Sequence, residues 1–282
     1  MSVPAVSEDF GGSVVWITGA SSGIGAGLAA AFAAVGAKVV LSARSEPALE
    51  RVALSCNTAG ADEADVMVLP LDVADTDAFP AAVDAVLARF GHVDMLLNNA
   101  GVGVRDWVTD IELDVFRRVF DVNVMGPIAL TKAVLPSMIE RASGRITVTS
   151  SLAGKFGVPL RTGYCMTKHA VVGFADALRA EVAYHGINVS TIVPGVVKTN
   201  AVAGAFRGDG SLIGAEDGVM EEGLEVAEAV EIIMAGLAAG DDEIVAARPP
   251  EEGMLTMKRD DPVGLFRAIE GMAVGLHEGS GS

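Results

Sequence analysis

The sequence predicts an α/β protein: one domain built on a doubly wound, parallel sheet of about seven strands with helices on both faces. Three observations lead there. Short apolar runs rich in β-branched residues alternate along the chain with longer stretches of helical period. The 282 residues are 51% apolar, enough for one large core, and neither a linker nor a repeat divides them. A glycine-rich turn, TGASSGIG (18–25), separates the first strand-like run from the first helix-like one. In such a sheet that is where a helix N-terminus meets a ligand's phosphates.

The elements follow in order. SVVWIT (13–18) is a buried strand, and GIGAGLAAAFAAVGA (23–37) is an Ala-rich helix closed near Gly36. KVVLSA (38–43) is the second strand, followed by a helix over 46–56 with Pro47 in its first turn. DVMVLPL (65–71) is the third strand. The helix at 75–91 carries Pro80 in its first turn or bends there. VDMLLNN (93–99) is a fourth strand, and 111–141 is one long helical region with a bend expected at Gly126–Pro127. GRITVTSS (144–151), a helix at 162–186, INVSTIVPG (187–195), a helix at 226–240 and DEIVAA (242–247) complete a core spanning about 13–247. Residues 200–224 are Gly-rich and aperiodic, the pattern of a functional loop. The tail, 248–282, holds one further helix-like stretch at 261–278.

Composition excludes several functions. The net charge is −17 and Lys/Arg residues do not cluster, so a nucleic-acid footprint is not expected. Two separated cysteines, Cys56 and Cys165, and four scattered histidines give neither a disulfide framework nor a metal site. The N-terminus lacks the pattern of a secretory signal, which favours a cytoplasmic protein. Residues 13–37 are uncharged, but their glycines and hydroxyls divide two elements, so a membrane span is not expected.

The chemistry lies in two places. In the glycine turn, Gly19, Ser21, Ser22, Gly23, Ile24 and Gly25 form a candidate dinucleotide cradle, with an ordinary turn as the alternative. The second strand ends Ser42-Ala43-Arg44, where an acid would hold a ribose 2′-hydroxyl. Ala43 stands in its place and Arg44 follows, which favours NADP(H) over NAD(H), with Glu46 nearby blurring the choice. Further along, Tyr164 and Lys168 share one helix face. An ammonium beside a phenol lowers its pKa, and the phenol can then trade protons with a carbonyl or alcohol oxygen. The preceding strand ends in Ser150-Ser151, a hydroxyl on the ligand side of the sheet suited to hold that oxygen.

With these residues the chain resembles the short-chain dehydrogenase/reductase family, in its single-domain branch. The matching motifs are TGASSGIG, Asp72-Val73 after the third strand, NNAG (98–101), Asn123, Ser151, Tyr164-x-x-x-Lys168 and PGVVKT (194–199), from about Val14 to Thr199. The resemblance implies that Tyr164 is the general acid/base and Ser151 orients the substrate carbonyl. Lys168 would lower the tyrosine pKa and bind the nicotinamide ribose, and Asn123 would hold a water linking Lys168 to solvent. Asp72 and Val73 would contact the adenine, and Asn99, Ala100 and Gly101 would line the groove. Pro194, Gly195, Val197 and Thr199 would contact the nicotinamide end. Cys165 and His169 read as helix packing.

The expected activity is an NADPH-dependent carbonyl reductase. Its small-molecule substrate would be apolar or aromatic, because the expected pocket wall (Val104, Trp107, Leu152, Phe156, Val158, Leu160, Val202, Phe206, Leu212) is apolar, with Arg161 and Arg207 as exceptions. The alternatives are an NAD-dependent secondary-alcohol dehydrogenase and a dinucleotide-sensing binding protein, the latter expected to lack part of the Ser/Tyr/Lys set. By resemblance a homodimer or homotetramer would pair through 111–141 and 162–186, where Ala170, Val171, Phe174, Leu178 and Val182 could serve either core or partner.

Overall fold

The computed structural model of the chain describes residues 10–214 and 223–279. Its strands are β1 (Val14–Thr18), β2 (Lys38–Ser42), β3 (Val66–Val68), β4 (Met95–Asn98), β5 (Gly144–Thr149), β6 (Ile187–Pro194) and β7 (Glu243–Ala246). They form one sheet in the order β3-β2-β1-β4-β5-β6-β7, and every pairing is parallel. From β1 the chain adds strands on one side, then returns to place β4 on the other. The carboxyl ends of β1 and β4 therefore border the crevice where such sheets bind ligands.

Among the described residues the helices are α1 (Gly23–Ala34), α2 (Glu46–Ala59), α3 (Phe79–Phe90), α4 (Leu113–Phe120), α5 (Gly126–Arg141), α6 (Thr162–Val182), α7 (Val226–Ala239), α8 (Pro249–Asp260) and α9 (Pro262–Gly279). Side chains alternate along β1. Val15 and Ile17 meet Leu28 and Phe32 of α1 and Ile233 and Leu237 of α7. Val14 and Trp16 face the other layer, with Leu130 and Met138 of α5 and Val171 and Leu178 of α6. Val171, Leu178 and Val182 are thus core residues, with Ala170 and Phe174 packed against them. The uncharged stretch 13–37 is β1, the turn and α1. The run Leu113–Arg141 is long and apolar enough to cross a membrane by length and composition, yet its Leu130, Val134 and Met138 are buried against the sheet.

Two differences from the sequence reading matter. The long helical region is interrupted at Asp121–Met125 by a π turn, ahead of Gly126–Pro127. Pro127 has no N–H to donate to the Asn123 carbonyl four residues back. Gly126 lies so close to the Val73 carbonyl that a Cβ there would sit 2.4 Å from its oxygen. The second difference is α8, which the sequence reading left unassigned. Pro249 and Pro250 are first-turn residues rather than breakers, and the Glu251 carboxylate accepts the Arg248 N–H at 3.0 Å. The helix expected at 261–278 is α9. Its Leu265 is fully buried among Leu152, Phe156, Val193 and Ala247. At its far end His277 stacks on Trp107 at 3.9 Å, with the rings 12° from parallel. The tail therefore folds back over the carboxyl end of the sheet.

Candidate active site

The β1–α1 turn closes against the chain leaving β4. Gly19 (φ +67°) and Gly23 (φ +54°) hold left-handed backbone. A Cβ on Gly25 would sit 2.3 Å from the Gly19 carbonyl oxygen and 2.6 Å from Asn99 Nδ2. Thr18 fixes the junction: its hydroxyl accepts the N–H groups of Asn99 and Ala100, each at 3.1 Å, and Asn99 Nδ2 donates to the Thr18 carbonyl at 3.1 Å. α1 starts without a side-chain cap and without an acid in its first turn, so its N–H groups face the cleft with the helix's positive end. Such a cradle fits a pyrophosphate.

The cleft measures about 1140 Å³. It brings together Gly19, Ser21, Ser22, Gly23, Ile24, Gly25, Arg44, Asp72, Val73, Asn99, Ala100, Gly101, Ser151, Tyr164, Lys168, Pro194, Gly195, Val197 and Thr199. Arg44 lines it and is exposed, whereas Glu46 is not part of the wall. Asn123 stands behind that wall. Its side chain clamps Val102, accepting the N–H and donating to the carbonyl at 2.8 Å each, and donates to the Thr167 hydroxyl at 3.0 Å.

At the other end Ser150 and Ser151 diverge. Ser150 turns inward and donates to the Lys168 carbonyl at 2.9 Å. Ser151 faces the cleft, donates to the Pro194 carbonyl at 3.3 Å and accepts the Ala153 N–H at 3.2 Å. Lys168 is buried, with Nζ donating to the Thr149 carbonyl at 2.8 Å and lying 5.6 Å from the Tyr164 ring centre. Burial lowers its pKa to about 8. Tyr164 moves the other way. Burial raises its pKa, against a hydrogen bond with Ser151 and the charge of Arg161. The depression expected from Lys168 does not emerge: with Lys168 Nζ over the ring, burial still outweighs the Ser151 hydrogen bond and the charge of Arg161. Cys165 is buried and packed, as expected, but His169 is exposed, with Nδ1 2.8 Å from the Cys165 carbonyl.

The substrate end departs from expectation in its outer wall. Leu152, Phe156, Val158, Arg161, Val202 and Phe206 line the cleft. Val104, Trp107, Leu160, Leu212 and Arg207 do not: Val104 is core, Leu212 is exposed, and Trp107 is covered by His277. Met254, Ile269 and Met272 of the tail take their place. Glu251 also lines the cleft and accepts the Val196 N–H at 2.8 Å, joining α8 to the PGVVKT segment. The residues missed were those of α8 and α9, whose apolar spacing alone did not say which cavity they face. Residues 215–222 of the expected substrate loop lie outside the described residues.

A glycine cradle at the switch point and a Ser/Tyr/Lys set at the far end define a dinucleotide-dependent oxidoreductase acting on CH–OH and C=O groups. The sequence model of the short chain dehydrogenases matches residues 13–209. Human dehydrogenase/reductase SDR family member 7 is 42% identical over 239 residues, covering 84% of this chain and 70% of that protein. A short chain dehydrogenase/reductase from Burkholderia phymatum, solved in complex with NAD, aligns with TM-score 0.80 at 27% identity, over 90% of this chain and 95% of that one. A metagenomic short-chain oxidoreductase in complex with NADP aligns with TM-score 0.69 at 29% identity, over 85% of this chain and 98% of that one. The chain belongs to the short-chain dehydrogenase/reductase family.

Proposed function

We propose that the protein is an NADPH-dependent reductase of apolar or aromatic ketones and aldehydes. The observation that carries this reading is the cleft itself, with its phosphate cradle at one end and Ser151, Tyr164 and Lys168 beneath an apolar wall at the other. When bound, the nicotinamide supplies the hydride. Ser151 and Tyr164 hold the carbonyl oxygen, and the phenol donates a proton to it. A phenol whose pKa is raised by burial stays protonated at neutral pH, the form that reduction requires. Lys168 orients the nicotinamide ribose. Replenishment of the phenol's proton runs past Lys168 toward the Asn123 carbonyl, which Pro127 leaves free of an α-helical donor and so able to hold a water.

The cofactor preference rests on Arg44, which lines the adenosine end just past β2, where Ala43 stands in place of an acid. Asp72 and Val73 border the adenine in this reading. The NAD-bound relative of TM-score 0.80 favours the second reading, an NAD-dependent secondary-alcohol dehydrogenase. A non-catalytic sensor is disfavoured because Ser151, Tyr164 and Lys168 are all present. We place the protein in the cytoplasm, as a homodimer or homotetramer paired through the outer sides of α4, α5 and α6, where Leu113, Met125 and Met166 are exposed.

The test is turnover of an aromatic ketone with NADPH and NADH by wild type, Tyr164→Phe and Arg44→Asp. The expected result is an NADPH preference reversed in Arg44→Asp, and loss of turnover with retained cofactor binding in Tyr164→Phe. An NADH preference in the wild type would overturn the cofactor assignment.

A further inference from the structure

Arg161 precedes α6 by one residue and Tyr164 by three, on the substrate side of the cleft. It is partly buried, its charge reaches the Tyr164 phenol, and burial disfavours that charge. Among the described residues no side chain forms a hydrogen bond or ion pair with its guanidinium. Its charged neighbour Arg105 opposes it. The acids of the cleft wall and of the adjoining loop form no ion pair with it among the described residues. Asp106 accepts the N–H groups of Trp107 at 2.9 Å and Gly208 at 3.0 Å. Glu251 accepts those of Val196 at 2.8 Å and Arg248 at 3.0 Å. Asp121 lines the cleft from the π turn and forms no ion pair with Arg161 among the described residues.

The chain has 37 acidic residues against 20 basic ones, and several arginines are matched: Arg141 with Asp94, Arg179 with Asp176, Arg267 with Glu270. Unlike exposed arginines without such a partner, Arg161 is partly buried in the cleft wall. A partly desolvated guanidinium beside the reacting group, without a counter-charge, is unfavourable until an anion arrives. A planar guanidinium pairs best with a carboxylate, through two parallel hydrogen bonds. Around it the wall is apolar, with Phe156, Val158, Ile269 and Met272.

We propose that Arg161 anchors a carboxylate on the substrate, so that the substrate class is an apolar or aromatic oxo-acid. This rests on the reductase reading of the same cleft. The carbonyl lies at Ser151 and Tyr164, and the acid reaches back to Arg161. In the reaction the carbonyl carbon gains a hydride and its oxygen gains the Tyr164 proton; NADPH is oxidised to NADP⁺, and the carboxylate is unchanged.

Two experiments test this. Calorimetric titration of NADP⁺-loaded protein with 4-phenylbutanoate and with 4-phenylbutanamide reads the anion site without turnover. The expected result is at least tenfold tighter binding of the acid, lost in Arg161→Gln and partly kept in Arg161→Lys. Equal binding of acid and amide by the wild type overturns the proposal, as does an acid preference that survives in Arg161→Gln. The second experiment compares kcat/KM for 4-oxo-4-phenylbutanoate and its methyl ester, with a tenfold or greater advantage for the acid expected. Reduction of the ester as fast as the acid overturns the proposal and leaves the reductase reading standing. An Arg161-dependent acid preference in binding, with neither compound reduced, supports the anion site and sinks the reductase reading.

Discussion

Lys168 holds its charge against burial, so replacing it should stabilise the protein in a pH-dependent way. Its pKa falls from 10.5 to about 8 in the folded chain. Below pH 8 the lysine is protonated in both folded and unfolded states, and folding carries the full desolvation cost, about 3 kcal/mol. As pH rises from 8 toward 10.5 the folded state releases its proton first, and the cost fades by about 1.4 kcal/mol per pH unit. Lys168→Met removes this cost together with the hydrogen bond to the Thr149 carbonyl, which is worth about 1 kcal/mol. In urea titrations of the cofactor-free protein, the variant should be more stable than wild type by about 2 kcal/mol at pH 7 and about equal to it near pH 9.5. An unchanging difference between the two pH values, or a variant less stable at both, would refute the reasoning. Turnover should collapse in the same variant, so the lysine would be a functional residue maintained against stability.

Other perturbations have equally definite expectations. Gly25→Ala puts a methyl 2.3 Å from the Gly19 oxygen; it should lower stability by about 1–3 kcal/mol and weaken dinucleotide binding measured by fluorescence, whereas wild-type affinity would show the turn to be open. Trp107→Ala removes the stack on His277, and hydrogen exchange should rise in the last turns of α9 while β1 and β4 stay protected. The pH profile of ketone reduction should hold through neutrality and fall only in the alkaline range, because the Tyr164 pKa is raised above its ordinary value of 10.0; a fall near neutral pH would place the acid elsewhere.

The sheet was legible because buried parallel strands are apolar throughout, as in VVWIT and MLLN, and because glycines such as Gly91, Gly186 and Gly240 end helices in left-handed backbone. Much of where the candidate site's residues meet was equally readable, since the glycine turn, Asp72-Val73, NNAG, Ser151 and PGVVKT fall at or just past the carboxyl ends of strands, while Asn123, Tyr164 and Lys168 are brought in by helical segments. Three things were not. The π turn at Asp121–Met125 follows from a missing N–H and a close carbonyl in a segment far along the chain. Whether burial or a neighbouring cation dominates the Tyr164 pKa depends on how deeply the fold encloses the phenol, which spacing along α6 does not tell. The pocket roof required knowing that α8 and α9 return across the sheet, a tertiary fact that their helical period does not contain.

That returning tail divides the molecule in a useful way. The family signature ends at residue 209, while Met254, Ile269 and Met272 roof the cleft from beyond it. Ser151, Tyr164 and Lys168 thus lie in one part of the chain and the roof of the cleft in another, joined by the Glu251 bond to Val196, the burial of Leu265 and the stack of His277 on Trp107. A graft of the segment from Pro249 onward from a relative would therefore reshape the roof over the bound substrate while leaving Arg161 and the reacting groups in place.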